Sequence, residues 1–251
     1  MTNKTLIFAH RGANKEAAEN TRSAFDKALT YPIDGIETDI QLSRDEVAVL
    51  WHDRDLKKLK LPGNHIDDYD YTQLQAMNFA AHFAASASSE GVMSLQEFIS
   101  AYRSRCRLLL EIKNRDWEMQ VRQELKVRKS LGLVGAVTDD RIIISSFNLD
   151  SLVYAHRFAE QFPLVLNLEP EHSVRDAQRA LDGQPFLYGL CVDISTLDSD
   201  MMKVVRDRGK RIAVYTCDTD GEIARALTLG VDVLISNVPQ KALQLRNENC
   251  K

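Results

Sequence analysis

Four short segments carry the residues best suited to chemistry, and each lies at or near the end of an apolar stretch. They are Ala9-His10-Arg11-Gly12, Glu37-Thr38-Asp39, Trp51-His52-Asp53 and Glu111-Ile112-Lys113. Residues two apart on a β-strand point to the same side, so Glu37 and Asp39 present two carboxylates together. Glu111 can join them from another strand. Three buried acids in one place repel each other strongly unless positive charge neutralises them.

The residues leave two interpretations of these acids open. A hard divalent cation would neutralise all three, and a set of oxygen ligands suits Mg²⁺, Ca²⁺ or Mn²⁺ better than Zn²⁺. Alternatively, Glu37 and Asp39 form buried salt bridges with Arg11 and Lys113. The pattern alone favours neither interpretation.

The two histidines in these segments are candidates for proton transfer. A lone histidine is more often structural, but His10 and His52 both end apolar strand-like stretches beside the acids. Imidazole titrates near neutral pH, so this arrangement favours general acid–base catalysis. Arg11 and Lys113 supply the local positive charge that a phosphate group needs.

The elements that position these residues alternate between strands and helices. Nine strand-like stretches are Thr5–His10, Gly35–Ile40, Val47–Trp51, Leu108–Lys113, Arg141–Ser145, Leu164–Leu168, Leu187–Asp193, Arg211–Thr216 and Val231–Ser236. Most are continuously apolar, as parallel strands covered on both faces are, and helical segments separate nearly all of them. We therefore predict an α/β fold, a (β/α)8 TIM barrel, with an open doubly wound sheet as the alternative. Nine strands is one too many for the barrel, and Val47–Trp51 has no helix before it.

One stretch, residues 54–93, breaks the alternation with turns, charges and an Ala/Ser-rich run. Long irregular segments in compact domains usually have a functional role. We predict an insertion on the catalytic rim after the third strand; a surface loop without a role is the alternative. No linker or internal repeat divides the chain, so residues 1–251 are expected to form a single domain.

Composition excludes several functional classes. A chain of 251 residues with 44% hydrophobic and 27% charged residues has the length and composition of one soluble barrel. The net charge of −4 argues against a nucleic-acid partner. No apolar run approaches 18 residues, so stable membrane insertion is not expected. Four cysteines without metal-type spacing and the lack of a leader-like apolar segment predict a cytoplasmic location. Monomer and homodimer are both compatible with the sequence.

The motifs together resemble a known family. His10-Arg11-Gly12, Glu19-Asn20-Thr21, Gly35-Ile36-Glu37-Thr38-Asp39 and His52-Asp53 are similar to the signature of the glycerophosphodiester phosphodiesterases, in particular the cytoplasmic bacterial type with a phospholipase C-like barrel. Weaker similarity continues as far as Ser236-Asn237-Val238-Pro239, so it covers nearly the whole chain.

The resemblance implies an activity and a role for each site residue. The expected reaction is metal-dependent hydrolysis of a small-molecule glycerophosphodiester to an alcohol and glycerol 3-phosphate. His10 and His52 would be the acid–base pair, Arg11 and Lys113 would bind or lie near the phosphate, and Tyr215 would line the pocket. Glu37, Asp39 and Glu111 would hold one divalent cation, Mg²⁺ or Ca²⁺, with Mn²⁺ as a further candidate.

The chain also departs from the family pattern. Ala18 replaces the usual proline before Glu-Asn-Thr. After Tyr215-Thr216-Cys217 this chain has Asp218, where the family often has asparagine, and the aspartate adds a negative charge near the pocket rim. The insertion lacks the usual Arg-Thr-Thr run, so the head-group preference is left open. The rival functions are a lysophospholipase D on the same fold, with the insertion as an apolar groove, and a non-catalytic barrel that binds phosphorylated ligands.

Overall fold

The computed structural model describes residues 4–83, 88–114, 118–135 and 141–249. Eleven strands and nine α-helices make up most of these residues. In chain order the strands are β1 (Leu6–His10), β2 (Gly35–Leu42), β3 (Ala48–Leu50), β4 (Asp55–Leu56), β5 (Leu61–His65), β6 (Arg107–Ile112), β7 (Ile142–Ser146), β8 (Leu164–Leu168), β9 (Gly189–Asp193), β10 (Arg211–Tyr215) and β11 (Val233–Ser236). The helices are α1 (Arg22–Ala28), α2 (Tyr71–Ala76), α3 (Leu95–Tyr102), α4 (Gln120–Val134), α5 (Leu149–Phe158), α6 (Val174–Gly183), α7 (Ser199–Asp207), α8 (Asp220–Leu229) and α9 (Pro239–Asn249). None of these helices combines the length and apolar character needed to span a bilayer.

Eight of the strands form a closed parallel barrel. Strand β1 pairs with β2 on one side and with β11 on the other, and β6 to β10 complete the ring. Helices lie between successive barrel strands, which confirms the predicted (β/α)8 TIM barrel.

Strand periodicity divides the core into two layers. Alternate side chains point to opposite faces, so one set packs outward against the helices and the other fills the barrel interior. The interior layer consists of Phe8, Leu109, Ile143, Val165, Cys191, Ala213, Val233 and Ile235. On β6 the next residue with the orientation of Leu109 is Glu111, so this apolar layer forms the floor beneath the acids.

The surplus strand among the nine predicted ones is Val47–Trp51. Its centre, β3, runs antiparallel to β2 with Leu50 opposite Ile40, and it lies outside the barrel. Strand β2 extends past the barrel to Leu42, and β3 returns along that extension. The backbone N–H of Trp51 donates to the carbonyl of Asp39 at 3.1 Å. His52, the next residue, therefore lies at the rim, although β3, the strand that precedes it, is not part of the barrel.

The predicted insertion, residues 54–93, has a folded structure of its own where it is described. A hairpin of β4 and β5 is followed by α2. A small core holds these elements together, and its buried members are Val49, Trp51, Leu56, Ile66, Leu74, Phe79 and Val92. Trp51 and Phe79 meet edge to face with ring centroids 5.0 Å apart. Residues 84–87 lie outside the described part of the chain.

Candidate active site

The three predicted acids converge at the C-terminal end of the barrel. Asp39 on β2 is directly opposite Glu111 on the neighbouring β6. Glu37 lies two residues before Asp39 and shares its orientation. One carboxylate oxygen from each of the three lies within 4.8 Å of the others, and all three side chains are buried.

Two cations partly neutralise this cluster. The Lys113 ammonium lies 2.6 Å from Glu111 and 3.5 Å from Asp39, and the Arg11 Nε lies 3.0 Å from Asp39. Asp39 therefore forms the salt bridges with Arg11 and Lys113 that the second interpretation of the acids predicts. Within the described residues Glu37 has no Lys or Arg side chain at ion-pair distance; it accepts a hydrogen bond from the Arg11 backbone N–H at 3.2 Å.

The charge balance separates the two interpretations. Burial and the neighbouring Asp39 and Glu111 raise the pKa of Glu37 well above its usual value. Burial would also raise the pKa of Asp39, but Arg11 and Lys113 outweigh it and hold that pKa far below its usual value. If all three acids are ionised, two cations leave one negative charge in a buried place, which is unfavourable unless a further cation compensates it or Glu37 takes up a proton.

The donor set fits a divalent cation. The Asp39 Oδ1 is buried and accepts no hydrogen bond from any described residue, although the Lys113 ammonium is near. An all-carboxylate cluster with an uncommitted oxygen and excess negative charge suits a hard cation better than it suits salt bridges alone. The cluster could therefore hold a metal ion.

The segment after β1 is held in an uncommon backbone conformation that positions His10 and Arg11. Arg11 has φ of +55° and Gly12 has φ of +81°. A side chain at Gly12 would place its Cβ 2.7 Å from the backbone of Ala24, so glycine is required there. Left-handed residues are costly and concentrate at functional sites. The turn directs the Arg11 guanidinium to Asp39 and to Glu19, whose carboxylate is 2.9 Å away.

The two histidines have different partners on their Nδ1 atoms. The His10 Nδ1 lies 2.6 Å from the amide oxygen of Asn237, and its Nε2 lies 3.8 Å from Glu37. Burial, reinforced by Arg11, lowers the pKa of His10 to about 4. The His52 Nδ1 instead lies 2.6 Å from the carboxylate of Asp53.

The insertion is tied to this site by one side chain. The Lys58 ammonium, from the turn between β4 and β5, lies 2.7 Å from Glu19 and 2.9 Å from Asp53. Lys58 also lies over the Trp51 ring, 5.6 Å from its centroid. The insertion thus contacts the carboxylate that binds Arg11 and the carboxylate that binds His52, which places it on the catalytic rim as predicted.

Two cavities meet at His52 and Lys113. The inner one, of about 230 Å³, is lined by all of the predicted site residues except Asp39; its walls include His10, Arg11, Glu37, His52, Glu111, Lys113, Phe147, Asn167 and Tyr215. The outer one, of about 530 Å³, is lined by Gln41, His52, Asp53, Arg54, Asp55, Lys57, Lys58, His65, Lys113 and Glu118. A substrate with a phosphate near His52 could extend into both.

Residues 10–241 match the glycerophosphoryl diester phosphodiesterase family. The chain belongs to this family. Family membership, together with relatives that carry the same name, makes it a phosphoric diester hydrolase acting on glycerophosphodiesters.

Individual relatives and solved structures resemble the chain along nearly its whole length. A glycerophosphodiester phosphodiesterase of Bacillus altitudinis is 28% identical over 97% of this chain and 99% of its own length. The uncharacterized protein YqiK of Bacillus subtilis is 30% identical over 97% of this chain and 100% of its own length. Among solved structures, an Oleispira antarctica phosphodiesterase in complex with the product sn-glycerol-3-phosphate has a TM-score of 0.86, with 22% identity and 96% of each chain covered.

Several residues that contact the site of this chain were not among the site residues predicted from the sequence. Asn237, which touches His10, and Phe147, which lies in the inner cavity against Tyr215, follow barrel strands directly. Their position just past a strand end was the available signal, since polar or aromatic residues there line the mouth of a barrel. Lys58 gave no such signal, because its contact with the site depends on how the insertion folds.

Proposed function

We propose that this chain hydrolyses glycerophosphodiesters to an alcohol and glycerol 3-phosphate, with His10 and His52 as the proton-transfer pair and one divalent cation held by Glu37, Asp39 and Glu111. One observation carries the proposal. Two imidazoles, carboxylates of the acidic cluster and two cationic side chains face a single cavity at the C-terminal end of the barrel.

Arg11 and Lys113 would hold the phosphate. Both lie beside the acids, and Arg11 can offer two parallel N–H donors to a phosphate. The Lys113 ammonium lies 5.7 Å from the centroid of the Phe147 ring, and Phe147 packs edge to face against Tyr215 with centroids 5.8 Å apart. The Tyr215 hydroxyl donates to the carbonyl of Leu168 at 2.6 Å, which fixes the ring as one side of the pocket.

His10 is suited to accept the proton of the nucleophile. With its pKa lowered to about 4, it is neutral at pH 7 and can take up a proton. The nucleophile is water or the 2-hydroxyl of the substrate's own glycerol, and the second route passes through a cyclic phosphate.

His52 is suited to donate the proton to the leaving alkoxide. Its Nδ1 contacts the Asp53 carboxylate at 2.6 Å, and because an ionised carboxylate only accepts hydrogen bonds, this contact fixes the orientation of the ring. Lys58 holds the other Asp53 oxygen, so the carboxylate is kept in place beside His52.

Glu37, Asp39 and Glu111 would hold the cation, with Mg²⁺ or Ca²⁺ as the first candidates and Mn²⁺ as the next. A bound divalent ion would polarise a phosphoryl oxygen and neutralise charge that builds up on the phosphate. Lys113, 2.6 Å from Glu111, would then be released to interact with the phosphate.

The outer cavity is the place for the leaving alcohol. It adjoins His52, the proposed proton donor, and the residues that line it are polar or charged. The buried apolar residues of the insertion pack into its own core and do not line this cavity. This arrangement supports a glycerophosphodiester with a polar head group over a lysolipid, whose chain would need an apolar groove.

We further propose a single domain, with the insertion as part of the barrel, and a cytoplasmic location. Three free, buried thiols, Cys106, Cys191 and Cys217, support a reducing compartment. Cell fractionation with an antibody to the chain tests the location.

A substrate panel tests the activity directly. Glycerophosphocholine, glycerophosphoethanolamine, glycerophosphoglycerol and a lysophosphatidylcholine are incubated with enzyme, and free glycerol 3-phosphate or lysophosphatidate is measured. We expect glycerol 3-phosphate from the diesters, loss of turnover in EDTA, and recovery with Mg²⁺, Ca²⁺ or Mn²⁺. Lysophosphatidate as the main product would favour the lysophospholipase D alternative, and full activity in metal-free enzyme would contradict the metal site.

A further inference from the structure

Asn237 lies between His10 and a carboxylate that has no place in the proposed reaction. It follows β11 directly, and its amide oxygen is 2.6 Å from the His10 Nδ1. Its amide nitrogen is 2.6 Å from the Oδ2 of Asp218, and its backbone N–H donates to the Oδ1 of the same carboxylate at 2.9 Å. Asp218 is one of the positions at which the chain departs from the family pattern.

The chemistry of these groups fixes which way the amide points. An ionised carboxylate can only accept hydrogen bonds, so the Asn237 atom facing Asp218 must be the NH₂ group. The oxygen must then face the other way, toward His10. Asn14 supports this orientation, because its own NH₂ group donates to the same Asn237 oxygen.

The amide orientation in turn fixes the tautomer of His10. An amide oxygen can only accept, so the His10 Nδ1 must carry a hydrogen. In the neutral imidazole the lone pair is then on Nε2, the nitrogen that faces Glu37 at 3.8 Å. A general base needs its lone pair on the nitrogen that faces the reacting group.

We propose that Asp218 is a positioning residue: through Asn237 its carboxylate holds His10 in the tautomer with the proton on Nδ1 and the lone pair on Nε2. The inference rests on the proposed role of His10 as proton acceptor. Asp218 touches neither the acids nor the imidazole, so it acts only through the amide.

The tautomer is measurable without any turnover. Full-length enzyme labelled with ¹⁵N-histidine is studied by NMR with and without Mg²⁺, and the His10 signals are assigned with His10→Gln. We expect a protonated Nδ1 and an unprotonated Nε2 in the wild type. In Asp218→Ala the Asn237 amide loses the carboxylate that holds its NH₂ group and keeps only the contacts of its oxygen with Asn14 and His10, so this preference should weaken. A proton on Nε2 in the wild type, or an unchanged tautomer in Asp218→Ala, would overturn the proposal.

A charge swap separates positioning from support of the loop. Asp218→Ala, and Asn237→Asp with its two facing carboxylates, should each lower kcat by about 10–100-fold, the usual scale for partners that orient a functional histidine. KM should change little. The double variant Asp218→Asn/Asn237→Asp again places an acceptor against His10 and a donor between the two side chains, so most of the lost kcat should return. If the double variant is no better than the single ones, the amide relay is wrong.

Ser236→Ala is the matched control. The Ser236 hydroxyl donates to the same Asp218 carboxylate at 3.5 Å, but it does not touch the Asn237 amide. Its kcat and its His10 tautomer should match the wild type, and thermal unfolding of every variant checks folding. Equal losses in Ser236→Ala and Asp218→Ala would show that the carboxylate only supports the loop. His10→Ala is assayed alongside: full activity there would contradict the proposed function itself, whereas the NMR result tests Asp218 independently.

Discussion

At the scale of single residues, the two histidines differ in the group that contacts the Nδ1 atom. The His10 Nδ1 meets a neutral amide and the His52 Nδ1 meets a carboxylate, with the same separation of 2.6 Å. Both partners accept a hydrogen bond, so each can hold its ring in one orientation. The two rings differ in their surroundings, since burial lowers the pKa of His10, and this difference underlies the proposal of His10 as base and His52 as acid.

Alanine substitution of either histidine tests this division. His10→Ala and His52→Ala should each lower kcat on glycerophosphocholine by about 10²–10⁴-fold, the usual scale for a general acid or base. KM should change far less, since Arg11 and Lys113 still hold the phosphate. The His52→Ala loss should shrink on a glycerophosphodiester of p-nitrophenol, because that leaving group needs no proton. Equal losses on good and poor leaving groups would contradict the assignment of His52 as the acid.

At the scale of elements, the returning strand β3 and the insertion that follows it complete the site. Strand β3 carries His52 back to the rim, and the hairpin of β4 and β5 carries Lys58 to Glu19 and Asp53. The remaining predicted site residues all lie on, or directly after, barrel strands. The barrel thus supplies the proposed phosphate and metal ligands, and the insertion supplies much of the wall of the outer cavity.

Lys57 on that wall should affect the choice of head group. Its side chain is 71% exposed, and its ammonium pairs with Asp55 at 2.8 Å, outside the proton-transfer and phosphate-binding groups. Lys57→Glu reverses one charge in the outer cavity, so kcat/KM for glycerophosphocholine, whose head group is cationic, should rise about two- to fivefold relative to glycerophosphoglycerol, whose head group is neutral, as expected for roughly 1 kcal/mol between exposed charges.

Lys203 offers a matched control for that measurement. It lies on α7, is also 71% exposed, and pairs with Asp207 at 2.7 Å. Lys203→Glu should leave the ratio of the two substrates unchanged. The same shift in both variants would mean that overall charge, and not the outer cavity, sets the preference.

A second element-scale prediction concerns Lys126, a buried lysine on α4. Its ammonium donates to the Gln41 side chain at 3.1 Å and to the Lys113 carbonyl at 2.5 Å. Burial lowers its pKa to about 8, from an ordinary 10.5. Between those values the unfolded chain binds more protons than the folded one, so this residue's contribution to stability rises as pH increases from 8 to 10.

Urea unfolding can isolate this contribution. The free energy of unfolding of the wild type minus that of Lys126→Met should increase by about 1–3 kcal/mol between pH 8 and pH 10. Subtracting the two free energies cancels the contributions of other titrating groups. One such group is the Cys106 thiol, whose pKa is raised by burial to about 11. A difference that is flat with pH would mean that Lys126 titrates normally.

At the scale of the whole molecule, the barrel brings the carboxylates of Glu37, Asp39 and Glu111 together despite their mutual repulsion. The packing of the rest of the fold must offset this repulsion. The acidic cluster lies at the mouth of a barrel whose interior and surrounding layers are well packed. A ligand that binds the folded chain and not the unfolded chain adds to stability by mass action. A cation bound by the cluster should therefore stabilise the entire fold.

Thermal unfolding of chelator-treated enzyme tests this without any assay of activity. Mg²⁺, Ca²⁺ or Mn²⁺ at 100 times its Kd should add about 2.7 kcal/mol and raise Tm by a few degrees. Glu37→Gln should abolish this increase, and without metal it should be at least as stable as the wild type, because it removes a buried, repelled carboxylate. Glu46→Gln, at an exposed carboxylate that pairs with Lys129, is the control and should keep the full increase. The same increase in Glu37→Gln would place the cation elsewhere.

The sequence by itself determined the barrel and much of the site. Continuous apolar strands separated by helices predict parallel pairing, and residues at strand ends meet at one face of such a barrel. The two-residue period of a strand puts Glu37 and Asp39 on one side. These are local properties of the chain, so the position of Glu111 and Lys113 at a strand end could be predicted without coordinates, while their roles stay predictions.

Only the tertiary structure decided the rest. An apolar run such as Val47–Trp51 does not show which partner it pairs with, and its antiparallel return outside the barrel depends on the extension of β2. The contact between His10 and Asn237 joins residues 227 positions apart and exists because β1 and β11 close the barrel. The orientation of that amide follows from atoms brought within hydrogen-bonding distance, which strand periodicity does not encode.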